Sequence, residues 1–559
     1  MVGIAGWTCL PRHAPDEALL APMVQSLSAR NGVARERAGG TPLLAVVDRT
    51  ARREVVLAAS LADRASRISL VLDGAILNAQ ELRLELAKKG YALPGKGDAE
   101  LLLRAYQQWD KDVAKHLRGA FAFAIWDARK ERLLLARDRF GEKPLYLHDR
   151  GGGVCFASEA KALLHLPGAG AQVDAQGLKD CLACGYVPGP RTLFNGIRKL
   201  APGTYATWQL GRLQEVRYWV PPDRAPLPGR ARIPGEGESV AHFVELLGDA
   251  ARARAGSAVL LSGGLDSAAM VAVLAEAGDG VRTFTLGIEN DKSDERARAA
   301  RVAKHFGTQH QEIVVAPKDL VGAPGRLVEA HDAPVARPSE LAVHFLATAA
   351  GREAGTLLTG DGCDEVLGGY RRLLLPPYAR WDMTRSLEAG ERAGKPPYDA
   401  DPQASRLRQR LYFGQAGPLA DELLERADRA AALSGAEIRM PYLDHRLVEY
   451  VSSLPDERRV RGLSTKWILR EAGRRLVPAT VGPLRKGGFR MPVRDWLRNE
   501  MRDTLLEHLG GAASRMRRHC DAARLDRLLK EHLGGRHDHS GTLWTLLNLE
   551  IWHRRYAPG

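Results

Sequence analysis

The sequence predicts a two-domain protein, with an α+β domain of layered sheets followed by an α/β domain built on a parallel sheet. At 559 residues the chain exceeds what one hydrophobic core normally organises. The proline-rich segment 221–236 has the composition of a linker, and the order of strands and helices changes across it. We therefore expect one domain over 1–220 and a second over 237–559.

Before the linker, short apolar runs bounded by turn residues predict β-strands. These runs are RISLVLDG (67–74), AFAFAIWD (120–127), RLLLARD (132–138), KPLYLHDR (143–150) and GVCFASE (153–159). Leucines recur at helical spacing in AQELRLELAKKGY and AELLLRAYQQW, so both segments are predicted helices. This order indicates layered sheets with helices on the outside.

After the linker, strands and helices alternate, which is typical of a parallel sheet. The predicted strands are SAVLL (257–261), VRTFTLGI (281–288), HQEIVV (310–315) and TLLTG (356–360). The predicted helices are SAAMVAVLAEAG (267–278), DERARAARVAKHFG (294–307) and SELAVHFLATAAGREAG (339–355). Two of the strands end in glycine-rich loops, which is where open α/β sheets bind their ligands.

The composition is that of an ordinary globular protein, and it narrows the function classes. The net charge of +14 comes mostly from scattered arginines, so it does not predict a dedicated nucleic-acid surface. No stretch of about 18 apolar residues could span a bilayer, and the first residues lack the pattern of a signal peptide. Six cysteines in a chain of this length suggest a reducing compartment. We therefore expect a cytoplasmic protein without a membrane partner.

The loop SGGLDS at 262–267 follows a predicted strand and opens a helix. Glycines, serine hydroxyl groups and the helix N-terminus suit a pyrophosphate, and no lysine follows as a Walker loop would require. Asp266 would repel phosphate unless a divalent cation lay between them, which favours Mg²⁺. Taken alone, the loop is equally compatible with a tight turn in which Asp266 only caps the helix.

A second loop, LLTGDGCDEVLGGY at 357–370, favours the interpretation that SGGLDS binds pyrophosphate and Mg²⁺. It places Asp361, Asp364 and Glu365 at the end of another predicted parallel strand. Mg²⁺ normally takes one or two protein carboxylates and completes its shell with phosphate and water. Asp266 and Asp364 are the predicted metal ligands.

These loops occur together with further motifs spread over nearly the whole chain. The motifs are MVGIAG (1–6), ARDRFGEKPLYL (136–147), FASEAKALL (156–164), GYVPGPRTLFNGIRKLAPGTY (185–205), RMPYLDHRLVEYVSSLP (439–455), TKWILRE (465–471), RKGGFRMPVRDWL (485–497) and LWTLLNLEIWHRRY (543–556). Together they resemble the asparagine synthetase B-like family of glutamine-dependent asparagine synthetases and their relatives. The resemblance implies an N-terminal αββα sandwich of the N-terminal-nucleophile type and a C-terminal ATP pyrophosphatase domain with helical additions.

The resemblance also implies a reaction: a carboxylate attacks the α-phosphate of ATP, pyrophosphate leaves with Mg²⁺, and an amine attacks the acyl-adenylate. Lys466 matches the family's catalytic lysine, which would stabilise the developing negative charge, and Lys486 matches a basic position near the pyrophosphate. The implied ATP-binding residues are Leu261, Ser262, Gly263, Gly264, Asp266, Ser267, Leu286, Gly360 and Lys486. ATP and Mg²⁺ are the expected cofactors.

The glutaminase site of the first domain is degenerate by the same resemblance. Val2 stands where glutamine-hydrolysing members carry the cysteine nucleophile, and it has no thiol. Leu43 replaces the arginine that holds the substrate carboxylate. Asp73 and Ala75 replace the family's oxyanion-hole Asn and ammonium-binding Glu, and only Asp98 remains. Cys9 cannot substitute for the missing nucleophile, because it lies roughly 23 Å from position 2 along an extended strand.

Several substrates remain compatible with the sequence once glutamine is excluded as the source of the amine. Relatives with an inactive glutaminase domain include β-lactam-forming synthetases and lasso-peptide cyclases, in which an internal amine closes a ring. Asp361, a predicted catalytic residue, stands where asparagine synthetases have Glu and β-lactam-forming members have Tyr, and it matches neither. An asparagine synthetase restricted to free ammonia and a tRNA-modifying enzyme are the alternatives.

The predicted partner is a small molecule or peptide that carries a carboxylate and an amine. The Pro- and Arg-rich segment 376–404 is expected to cover the acceptor site. The sequence leaves open whether the protein forms a homodimer or binds other proteins of its pathway.

Overall fold

A computed structural model shows two compact units. The first comprises Met1–Asp174 and Gly189–Pro221, and the second comprises Ala175–Pro188 and Pro222–Gly559. The structure describes residues 2–8, 17–27, 33–35, 43–48, 60–63, 65, 67–150, 152–166, 169, 172–227, 233–253, 258–278, 280–289, 295–335, 337–351, 353–370, 373, 399–478, 481 and 491–557. No helix in these ranges combines the length and apolar character needed to cross a bilayer.

The first unit contains two six-stranded antiparallel sheets, in the orders β10-β8-β9-β1-β3-β2 and β12-β11-β7-β6-β5-β4. Its strands are β1 (Val2–Trp7), β2 (Val33–Arg35), β3 (Leu43–Asp48), β4 (Ser60–Asp63), β5 (Ile68–Gly74), β6 (Phe121–Asp127), β7 (Arg132–Arg137), β8 (Tyr146–Arg150), β9 (Gly153–Ala157), β10 (Ile197–Lys199), β11 (Thr204–Gln209) and β12 (Arg212–Arg217). Its helices are Glu17–Leu27, Ala79–Lys88, Asp98–Trp109, Val113–His116 and Ala160–Leu163.

Strand β6 explains how the layers hold together, because both of its faces are buried. Phe121 and Phe123 belong to the core beneath the helices, whereas Ala122 and Ala124 belong to the core between the two sheets. The alternation of large and small apolar residues follows from the two-residue period of a strand. The predicted αββα sandwich is confirmed.

The second unit is built on a five-stranded parallel sheet in the order β15-β14-β13-β16-β17. These strands are β13 (Ala258–Leu260), β14 (Arg282–Ile288), β15 (Gln309–Val315), β16 (Thr356–Leu358) and β17 (Glu437–Arg439). The order reverses between β13 and β16, so the carboxyl ends of these two strands form a topological switch point. Both predicted loops follow these ends, which places them side by side.

Helices surround this sheet and extend the unit toward the C-terminus, as the sequence predicts. They are Ala175–Cys184, Glu236–Arg252, Leu265–Ala275, Arg296–Phe306, Ala323–His331, Ser339–Ala350, Cys363–Leu367, Arg406–Ala416, Glu425–Ala432, His445–Ser453, Trp467–Leu476, Val493–Arg498, Arg502–Leu509, Ala522–Leu533 and Ser540–Tyr556. A π-helical turn at Leu419–Leu424 precedes Glu425–Ala432.

A buried charge network fixes the start of the second unit. The fully buried Asp223 carboxylate accepts hydrogen bonds from Arg459 Nη1 at 2.7 Å, Gln415 Nε2 at 3.0 Å and Ser452 Oγ at 3.3 Å. Arg408 Nη1 lies 3.4 Å from its other oxygen. Buried charges are tolerated when they are paired and hydrogen-bonded in this way.

Candidate active site

The first predicted loop joins β13 to the helix Leu265–Ala275 in a compact turn. Gly263 has a φ of +67°, and a Cβ at this position would lie 2.6 Å from the Arg298 Cβ. Only glycine therefore fits without displacing the neighbouring chain. The Ser262 and Ser267 hydroxyl groups lie 3.2 Å apart in the same turn. Hydroxyl donors thus meet the N-terminus of a helix, an arrangement suited to phosphate.

The second predicted loop follows β16 and contacts the first. A Cβ on Gly360 would lie 3.1 Å from the Asp266 Cβ, so the two backbones are as close as a glycine allows. Thr359 Oγ1 donates a hydrogen bond to Asp361 Oδ2 at 3.0 Å and orients this carboxylate. The switch point thereby brings the predicted residues Asp266, Asp361 and Asp364 to one cavity.

Lys466 connects the two loops. Its Nζ atom lies 2.5 Å from Asp266 Oδ2 and 2.6 Å from Asp364 Oδ1, and the side chain is 5% exposed. Burial opposes the charged form, yet Cys363 and the two carboxylates raise the pKa of Lys466 above its ordinary value. The ammonium therefore stays protonated beside both predicted metal ligands.

A glycine makes room for this ion pair. A Cβ on Gly369 would overlap both the Asp364 carboxylate and the Lys466 Cε. Both groups end flexible side chains, so we expect Gly369→Ala to displace them without unfolding the protein. ATP–pyrophosphate exchange should fall at least about tenfold, because the lysine and carboxylates lose their alignment.

The matched control for Gly369→Ala is Gly541→Ala, since no atom lies within 4 Å of a Cβ at this helical position. We expect Gly541→Ala to retain wild-type exchange. Unchanged exchange in Gly369→Ala, at an unchanged unfolding temperature, would contradict the importance of the Lys466–Asp364 geometry.

A cavity of about 340 Å³ opens at the switch point. It is lined by eight of the predicted site residues, namely Leu261, Ser262, Asp266, Ser267, Leu286, Gly360, Asp361 and Asp364. The polar lining residues that sequence reasoning did not assign to the site are Thr285, Glu295, Ser339, Thr359, Glu365, Tyr370 and Arg426. Lys486 and residues 376–398 lie outside the described part of the chain.

Arg426 and Tyr370 give the cavity wall a specific polar character. Arg426 Nη1 donates to Ser339 Oγ at 3.2 Å. Burial raises the pKa of the Asp361 carboxyl, and the Arg426 charge opposes this shift. Tyr370 Oη donates to Glu365 Oε1 at 2.5 Å. Among the described residues, the cavity wall therefore presents the Arg426 guanidinium and several carboxyl groups to a ligand.

The carboxylates fit a phosphate-bound Mg²⁺. One nitrogen lies within 2.6 Å of both Asp266 and Asp364, so a single cation can contact oxygens of both residues. Two carboxylates with phosphate and water form the shell that Mg²⁺ prefers. Among the described residues, no group of three or more His, Cys, Asp or Glu side chains could hold a metal alone.

A buried carboxyl behind the cavity makes stability depend on pH. Burial raises the pKa of Glu340 from 4.5 to about 7. Because the folded-state pKa exceeds the unfolded value, the folded protein loses stability as pH rises from 4.5 to about 7, and the loss is complete above that range. Linkage makes this loss roughly 3 kcal/mol.

We therefore expect Glu340→Gln to stabilise the protein relative to wild type at about pH 8 and to have little effect at about pH 5. In the wild type, Glu340 Oε1 accepts a hydrogen bond from Arg337 N at 2.9 Å, and the amide oxygen of the glutamine can still accept it. Urea unfolding of both proteins at the two pH values measures the effect. An equal difference in unfolding free energy at both values would contradict the raised pKa.

The positions that the resemblance assigns to a degenerate glutaminase site lie in the first unit. In the antiparallel pair of β1 and β3, Val2 is opposite Asp48 and Leu43 is opposite Trp7, so Val2 and Leu43 occupy opposite ends of the ladder. Asp98 Oδ2 accepts a hydrogen bond from Ile76 N at 2.9 Å.

The Asp73 carboxylate interacts with two neighbouring side chains of the first unit. The buried Asp73 carboxylate accepts a hydrogen bond from Ser158 Oγ at 3.0 Å, and Lys143 Nζ lies 3.8 Å away. Ser158 Oγ in turn accepts a hydrogen bond from Ile4 N at 3.0 Å. An oxyanion hole needs hydrogen-bond donors, and a carboxylate held in this way accepts hydrogen bonds instead. Next to Asp73, Ala75 has no polar side chain.

The parallel sheet places a glycine-rich turn and a carboxylate pair at its switch point, which is where open α/β sheets bind their ligands. Comparisons with known proteins give the family. A model for asparagine synthase matches residues 242–554, and a model for a glutamine amidotransferase domain matches residues 1–219. The chain therefore belongs to the asparagine synthase family and is an ATP-dependent ligase that forms AMP and pyrophosphate.

Individual relatives cover both units. The chain is 31% identical over 551 residues to a protein of Mycobacterium tuberculosis (strain ATCC 25618 / H37Rv) whose name gives it as a glutamine-hydrolyzing asparagine synthetase, covering 87% of this chain and 84% of the relative. It is 28% identical over 554 residues to asparagine synthetase (glutamine-hydrolyzing) 1 of Bacillus subtilis (strain 168), covering 88% and 86%. It is also 28% identical over 436 residues to the Gallus gallus enzyme, covering 72% and 68%.

Proposed function

We propose that the protein adenylates a substrate carboxylate with ATP and joins it to an amine that is not produced from glutamine in the first unit. The observation that carries this proposal is a contrast between the two units. The synthetase residues Asp266, Asp364 and Lys466 meet in one ion-paired cluster, whereas Asp73 is a buried acceptor where glutamine hydrolysis needs a donor.

The adenylation half of the proposal assigns a role to each polar group. The Ser262–Ser267 turn binds the departing pyrophosphate. Asp266 and Asp364 would hold Mg²⁺, which would supply charge neutralisation to the phosphates. The Lys466 ammonium stabilises negative charge on the α-phosphate and later on the tetrahedral oxyanion, because it stays protonated in its buried position.

The acceptor half of the proposal rests on the cavity wall. Arg426 can bind an anionic group of the substrate, and the Asp361 carboxyl lies in the same cavity. A guanidinium and a carboxyl group in one cavity suit a substrate that carries both a carboxylate and an amine. Small-molecule and peptide substrates both satisfy this requirement.

Two assays test the proposal. An ATP–pyrophosphate exchange screen over candidate acids should give exchange with the true substrate in the absence of glutamine. Incubation with glutamine should release no glutamate above the protein-free blank. Glutamine-dependent pyrophosphate release, or a thioester on the first unit, would exclude the proposal.

The names of the relatives favour asparagine formation, and the hydrogen-bond-accepting Asp73 argues against glutamine as the amine source. The specific alternative is therefore an asparagine synthetase restricted to free ammonia. Aspartate, ATP and ammonium should then give asparagine, AMP and pyrophosphate. Absence of asparagine at high ammonium would exclude this alternative and leave other acids open.

A second specific version is a macrolactam-forming enzyme of the lasso-peptide cyclase type, and the same contrast between the two units supports it. The Asp361 side chain matches neither the Glu expected for asparagine synthetases nor the Tyr expected for β-lactam-forming relatives, so it favours neither of those two acceptors. This version requires a linear peptide to lose one water and become cyclic when ATP is present. An unchanged peptide mass would contradict it.

A further inference from the structure

The backbone at Lys466 adopts an unfavourable conformation directly beside the ion-paired cluster. Its φ is 53° and its ψ is 43°, in the left-handed region, and it immediately precedes the helix Trp467–Leu476. A residue with a Cβ occupies this region at a cost in free energy. Contacts that hold the backbone on either side of Lys466 therefore help to maintain this conformation.

Trp467, the residue after Lys466, is part of a stacked arrangement that we name the Trp467 clamp. The clamp comprises Glu236, Arg458, Arg461 and Trp467. The guanidinium carbons of Arg461 and Arg458 lie 4.1 Å and 5.3 Å from the centre of the Trp467 ring. Arg461 Nη2 and Arg458 Nη1 both donate to Glu236 Oε1, at 2.6 Å and 2.8 Å. The carboxylate thus holds two cations against one indole.

Further hydrogen bonds hold the backbone on both sides of Lys466. Trp467 N donates to Arg459 O at 2.8 Å, and Arg461 and Ser464 exchange two backbone hydrogen bonds of 2.9 Å. Arg470 Nε donates to Thr465 O at 2.7 Å. The residues before and after Lys466 are therefore both fixed.

We propose that the Trp467 clamp positions Lys466, so that Trp467, Arg461 and Glu236 set the rate of the adenylation step without contacting the nucleotide. This inference rests on the proposed function of Lys466. Trp467 is a positioning residue, since its effect reaches the substrate only through its neighbour. Small displacements of a catalytic group reduce rates strongly while substrate binding elsewhere in the site is retained.

The first test compares two replacements of Trp467. Trp467→Leu should lower kcat for ATP–pyrophosphate exchange by about tenfold or more, with KM for ATP within about twofold of wild type. Trp467→Phe keeps an aromatic face for Arg461 and should recover most of the lost rate. Arg474→Ala is the matched control, because Arg474 forms an exposed ion pair with Glu471 on the same helix; it should exchange at the wild-type rate.

A double variant distinguishes an effect of Trp467 through Lys466 from a general loss of structure. If Trp467 acts through Lys466, then adding Trp467→Leu to Lys466→Met should lower the residual rate no further. A further drop equal to that seen in the wild-type background, or equal rates for Trp467→Phe and Trp467→Leu, would overturn the clamp. An inactive wild type would contradict the proposed function itself, whereas an active wild type with unaffected Trp467→Leu would contradict the clamp alone.

Discussion

Lys466→Met is expected to reduce ATP–pyrophosphate exchange by about 10³-fold or more. The substitution removes the ammonium that lies within 2.6 Å of both Asp266 and Asp364. Under the proposed function, this ammonium offsets the charge that builds on the α-phosphate, and the variant lacks it. We expect the loss in kcat to exceed the change in KM for ATP, because the interaction strengthens in the transition state.

The matched control for this prediction is Lys530→Met, which makes the same replacement at an exposed position on the helix Ala522–Leu533. It should exchange at the wild-type rate. A Lys466→Met protein that keeps more than about a tenth of the wild-type kcat would contradict the central role of the ammonium.

Asp223→Ala is expected to lower the free energy of unfolding of the second unit by about 3–5 kcal/mol. The substitution removes the buried carboxylate that pairs with Arg459 and Arg408, and it leaves Arg459 with a longer contact of 3.5 Å to Asp456 Oδ1. It also removes the acceptor used by Gln415 and Ser452. Urea unfolding followed by circular dichroism measures this change.

Asp526→Ala provides the comparison for Asp223→Ala, because Asp526 pairs with Arg517 at an exposed site. An exposed pair contributes about 1 kcal/mol or less, so its loss should shift the urea midpoint only slightly. Equal shifts for the two variants would show that the Asp223 network is not a buried charge network in solution.

The sequence was sufficient to predict that the loops at 262–267 and 357–370 meet. Taken alone, the first loop could be an ordinary tight turn, but carboxylates that follow two parallel strands are brought to the same edge of the sheet, as Asp266 and Asp364 are. The resemblance to a family added Lys466, which has no local signal as a single lysine. In the structure, all three residues meet in one cluster.

The rest of the site depends on contacts between distant parts of the chain. Arg426 lies on an ordinary charged helix, and only folding places it in the cavity wall. Glu236 meets Arg461 across 225 positions of sequence, and Ser158 meets Asp73 across 85. Helical or strand periodicity carries no information about such pairs.

Glutamate release from glutamine is the direct measure of the claim that the first unit does not hydrolyse glutamine, because the assay requires no knowledge of the acceptor. We predict no release above the blank, with or without ATP, by the wild type and by a Val2→Cys variant. The variant should stay inactive because, by the resemblance, Leu43, Asp73 and Ala75 stand where the reaction needs substrate and oxyanion contacts that these residues do not supply. Glutamate release by the wild type would contradict the claim.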